Sequence, residues 1–137
     1  MGGRGKGVDA YLARASGPFR EAFDGVEAVV RGIFPEAASV LAHGMPGCSV
    51  RVRDAPPPGY KGTLDPTHLT ILLADRKTGI TLHVWNPLEE AFLESHRPAM
   101  ERGGLKVMRG CLAFRRKGPY PVGAVEALLR AAAEGVR

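Results

Sequence analysis

Cysteine is scarce: Cys48 and Cys111 are the only two in 137 residues. Two thiols cannot supply the disulfide framework of a small secreted domain, and they read as small apolar residues in a reducing compartment. Long apolar runs are missing too. No stretch approaches the roughly 20 residues that a membrane-spanning helix needs. Residues 1–7 carry Arg4 and Lys6 among glycines with no hydrophobic segment behind them, so a flexible basic tail is expected there rather than a signal peptide. The expected location is the cytoplasm. Residues 8–137 then form a single domain, a length that suits one core. Lysine is sparse as well, five against 14 arginines, and the sequence holds no internal repeat.

The signatures of chemistry are thin. Histidine stands at His43, His68, His83 and His96, and no pair of these with the two thiols shows the close, repeated spacing of a zinc site. The carboxylates are scattered, with no pair to serve as acid and base. Gly44-Met45-Pro46-Gly47 and Gly103-Gly104 are too sparse to cradle a phosphate. Neither cysteine sits in a motif that lowers a thiol pKa. The expectation leans away from an enzyme, with no cofactor and no metal.

Positive charge is what the chain does have. The formal net charge is +5, and it is concentrated. Arg97, Arg102, Lys106, Arg109, Arg115, Arg116 and Lys117 face one acid, Glu101, in a single 97–117 window. Such a patch attracts anions over long range and makes nucleic acid a possible partner.

Periodicity supplies the architecture. A short helix is expected over Val8 to Ala15. A second opens near Pro18, with Phe19, Phe23, Val26, Val30 and Ile33 as one apolar stripe, and ends at Pro35. Val40 to Ala42 reads as a brief strand and His43 to Gly47 as a turn. Cys48 to Asp54 alternates with period two, placing Arg51 and Arg53 opposite Val50 and Val52. Residues 55–67 form a Pro/Gly-rich loop by composition. His68 to Ala74 and Gly79 to Trp85 read as a hairpin around Asp75-Arg76-Lys77-Thr78. If Asp75 pairs with Ile80, then Leu69, Ile71, Leu73, Ile80, Leu82 and Val84 share the core face, and Thr70, Leu72, Thr81, His83 and Trp85 lie on the reverse. Asn86, Pro87 and Glu89 suit the start of a helix that runs to about Ser95 and breaks at Arg97-Pro98. Leu105 to Met108 and Cys111 to Arg115 are strand-like. A last helix opens at Pro121 on a stripe of Val122, Val125, Leu129 and Ala132. This order predicts an α+β fold: a mostly antiparallel sheet of about five strands with helices packed on one face.

Several segments in this order resemble the YdhG-like family, small bacterial domains of unknown function. They are Val8-Asp9-Ala10-Tyr11-Leu12, Phe34-Pro35-Glu36-Ala37, His43-Gly44-Met45-Pro46, the Gly79-to-Trp85 strand, and Lys106 to Arg115. The likeness spans about Val8 to Ala133. It implies the same α+β fold and, from a role proposed for one member, a frataxin-like intracellular iron chaperone. The sequence departs from the family around one turn, where His43 replaces an aromatic residue and Gly47-Cys48 follows Met45-Pro46. Acids on the second helix, Glu21, Asp24 and Glu27, are interrupted by Arg20 and Arg31, a poor ridge for hard cations.

Strand parity points to a different surface. Arg51, Arg53, His83, Trp85 and Arg115 all project from the outward sheet face, joining guanidiniums to an indole and an imidazole. The expected function is a non-catalytic binding domain for a small anionic ligand or a protein partner. The alternatives are nucleic-acid binding through the 97–117 segment and iron carriage.

Overall fold

The structure is a computed structural model, and it describes residues 5–56, 58–59, 61, 67–85, 90–108, 111–116 and 121–135. Four helices and six strands follow in the order α1 (Lys6–Arg14), α2 (Gly17–Ile33), β1 (Ala38–Ala42), β2 (Met45–Arg51), β3 (His68–Arg76), β4 (Gly79–Trp85), α3 (Glu90–Arg102), β5 (Lys106–Met108), β6 (Cys111–Phe114) and α4 (Val122–Gly135). The strands form one antiparallel sheet in the order β1-β2-β3-β4-β6-β5, one strand more than the pattern suggested. No helix among the described residues is long and apolar enough to cross a membrane.

All four helices contribute to a single core against one face of this sheet. Helix α2 brings Phe19, Phe23, Val26 and Val30. It starts where the Ser16 hydroxyl accepts the Phe19 amide at 3.2 Å, with Pro18 in the first turn. The central hairpin has the expected register, Asp75 opposite Ile80 and Ile71 opposite Val84. Leu69, Ile71, Leu73, Ile80, Leu82 and Val84 therefore share the core face and are all buried.

Three local expectations change. Strand β2 begins at Met45, three residues before Cys48, because His43 and Gly44 alone make the turn. Their φ values of 52° and 74° match the primed two-residue turn that suits twisted strands. Helix α3 runs through Pro98 without a break. Arg97 bonds Glu94 at 2.7 Å and, across the proline, Glu101 at 3.3 Å, and reaches the Val107 carbonyl of β5 at 3.2 Å. In α4 the expected stripe holds at Val125, Leu129 and Ala132 and fails only at its first member. Leu128 is fully buried, whereas Val122 is 52% exposed in the first turn. The expected helix start at Asn86, Pro87 and Glu89 lies outside the described residues.

Candidate functional site

The sheet's other face carries a second, smaller apolar cluster to which no described helix contributes. Met45, Leu72 and Ala74 are buried there, with Val40, Ala42 and Trp85 packed against them. The rows follow from pairing: Gly47, Leu72 and His83 lie abreast on β2, β3 and β4, as do Ser49, Thr70 and Trp85. Gly47 brings the backbones close, since a Cβ there would fall on the Ile71 carbonyl oxygen. Trp85 is flanked by two imidazoles. The His43 ring stands edge-on to the indole at 4.9 Å between centroids and 84°, and the His83 ring at 6.2 Å and 75°. The tight turn at His43-Gly44 is what places the first of these.

Arg76 brings a positive charge to the turn end of this face. As the last residue of β3 it shares parity with Leu72 and Ala74, and its Nη2 lies 3.8 Å from the Met45 sulfur. It meets no carboxylate among the described residues. Burial, and then the Arg76 charge, hold the His83 imidazole below its usual pKa. Burial pushes the Cys111 thiol up, with Arg76 opposing. Two polar atoms on β4, Thr81 Oγ1 and His83 Nε2, are buried without a hydrogen-bond partner among the described residues. The face therefore combines a cation, unsatisfied polar atoms and an aromatic wall. Burial thus favours the protonated form of the thiol on this face.

The residues expected on this face are distributed unevenly. His83 and Trp85 stand together. Arg51 ends β2 opposite His68, exposed and at the Trp85 end of the sheet. Arg53 follows the strand, half-buried, and its amide bonds the Thr67 carbonyl at 3.2 Å. Arg115 lies beyond β6 and lines a small cleft with Pro18, Glu21 and Arg116 at the start of α2. A Cβ at Gly79 would sit 3.9 Å from the Arg115 Cα, so Arg115 neighbours the end of β4 away from Trp85, about 20 Å off for a strand of that length.

The basic segment is partly committed to internal bonds. Arg97 makes the three contacts described above. Arg116 pairs with Asp75 at 2.9 Å, donates to the Lys77 carbonyl at 2.9 Å and bonds the Arg76 carbonyl. Arg102 and Lys106 are exposed. Arg109 and Lys117 lie outside the described residues. Sequence reasoning missed Arg76, His43 and Met45, and it placed Thr81 on this face without singling it out. Arg76 was legible, because the Asp75–Ile80 register puts it on the reverse face, but its place beside Lys77-Thr78 reads as turn.

Fold and face together define a class: a small α+β domain whose described helices pack on one side of an antiparallel sheet, with a smaller apolar cluster on the other. The fold is YdhG-like. The crystal structure of a DUF1801-family protein, YdhG from Bacillus subtilis, matches with a TM-score of 0.62 over 92% of this chain and 88% of that one, at 16% sequence identity. No family model and no curated protein matches the sequence.

Proposed function

We propose that the protein is a non-catalytic binding domain for a small anionic ligand with an aromatic body, held on the sheet face that no described helix covers. The observation that carries this reading is the Arg76 guanidinium, which meets no carboxylate among the described residues and lies on the same face as the Trp85, His43 and His83 rings. A guanidinium without an acidic partner is available to an anion, and an indole edged by imidazoles offers a flat surface for a ring. The competing basic segment has two of its cations, Arg97 and Arg116, occupied by internal acceptors. Among the described residues no three His, Cys, Asp or Glu side chains converge to hold a metal ion, which leaves the iron-carrier alternative without a ligand set there.

Trp85 is the sole tryptophan, so its indole N–H gives a single resonance that reports on this face alone. Titration with naphthalene-2-sulfonate should shift that resonance saturably, and a naphthyl ammonium of the same size should not. A resonance unmoved by the sulfonate, or moved equally by the cation, would sink the proposal.

A further inference from the structure

The arrangement on β3 and β4 says which anionic group this face takes. We infer that Arg76, Thr81 and His83 form the seat of a single carboxylate, and that the ligand is an aromatic monocarboxylate. This rests on the reading above and adds the class of ligand.

The three residues share one face by parity. Arg76 pairs with Gly79, so Thr81 is its diagonal neighbour, with Cα atoms about 7–8 Å apart. His83 follows two positions on, about 7 Å further along the strand. Arg76 reaches across this ground: its guanidinium touches Met45 on one side, and its charge acts on His83 and Cys111 on the other. Beneath it the Thr81 hydroxyl and His83 Nε2 have no partner among the described residues. Buried polar atoms without partners are costly, and a ligand oxygen that accepts from both would remove that cost. The fork of Arg76 matches a carboxylate's two oxygens.

Charge count favours a monoanion. The seat holds one full positive charge, and His83 stays neutral near pH 7 because burial and Arg76 both disfavour its protonated form. A phosphate monoester, close to −2 at neutral pH, would be left half compensated. Arg51 is about 20 Å away at the far end of the sheet. Lys106 lies in the same cross-strand row as Ala113 and Thr81, but at the exposed edge, where water solvates its ammonium. Size follows from the rings. His83 and Trp85 are 6.2 Å apart, so the ligand's ring rests on the indole with its carboxylate two or three bonds away.

Calorimetric titration with naphthalene-1-acetate, naphthalene-1-acetamide and 1-naphthyl phosphate tests this on the intact protein. The acetate should bind at least tenfold tighter than either of the others. Arg76→Gln should reduce acetate binding to the acetamide level while leaving the acetamide unchanged, Thr81→Val should weaken the acetate several-fold, and Lys106→Gln should change it less than twofold. Trp85→Phe should weaken acetate and acetamide alike. Thermal melting of each variant checks folding, and Arg76→Gln should melt with the parent because its side chain makes no ion pair among the described residues. Tighter binding of the phosphate, or an equal loss of acetate and acetamide in Arg76→Gln, overturns the carboxylate seat while the wider anion reading stands. If none of the aromatic anions binds or moves the Trp85 resonance, both fall.

Discussion

Asp75 accepts the Ser16 amide at 2.9 Å and the Arg116 guanidinium at 2.9 Å, while its own amide donates to the Tyr11 hydroxyl at 2.8 Å. Burial pushes its carboxyl up, but the bonds from Ser16 and the Arg116 charge more than offset this, and the net shift is below the ordinary carboxylate value. A depressed folded pKa stabilises the fold fully above the unfolded value, near pH 4, and that contribution is lost as the pH falls through the folded value. Asp75→Asn should therefore cost about 2 kcal/mol at pH 7, the loss of hydrogen bonds to a charged group. Urea denaturation at pH 7 and pH 3 checks this, and the gap between parent and variant should narrow at the lower pH. A gap that is the same at both would mean that the carboxylate's charge contributes nothing. The residue's parity was readable from the hairpin. Its partners were not, since Tyr11, Ser16 and Arg116 meet it only through the packing of α1 and α2 against the strand ends.

At the scale of elements, the departures from local rules lie where distant contacts override them. Proline inside a helix costs about 3 kcal/mol by itself, and a break at Pro98 is the correct local inference. The helix persists because Met100 is buried in the core and Arg97 fastens α3 to β5. Strand β2 is the second case. Pro46 and Gly47 read as turn, yet both hold strand positions, opposite Leu41 of β1 and Leu72 of β3. Gly47 is there because the β3 backbone leaves no room for a side chain. Gly47→Ala should cost about 3 kcal/mol through forced separation of β2 and β3, measured by chemical denaturation. It should also disturb the His43–Trp85 contact, visible as a shift of the Trp85 indole resonance. A variant as stable as the parent would show that β2 yields easily at this point.

Over the whole molecule, the apolar stripe of α2 and the alternation of β3 and β4 fixed the layers, because each is a local period that burial then enforces. The candidate face was half legible. His83 and Trp85 follow from parity along one strand. Arg76 and His43 required knowing where two turns begin, and Thr81 becomes informative only once its hydroxyl is seen to lack a partner. Arg115 shows the limit of parity: alternation assigns a side of the sheet but not a position along it, and the sheet is long enough to hold unrelated sites.

The node at Asp75 joins positions 64, 59 and 41 residues away in the chain. Such closure leaves few ways to open the hairpin end without also releasing the first two helices and the segment after β6. Solvent exchange of the participating amides should then need a concerted event rather than fraying. In deuterium exchange, the Ser16 and Asp75 amides should be protected as strongly as those of the central strands, and Asp75→Asn should release Ser16 first. Fast exchange at Ser16 in the parent would instead show the helical layer breathing independently of the sheet, and a proposed ligand face that can change shape from behind.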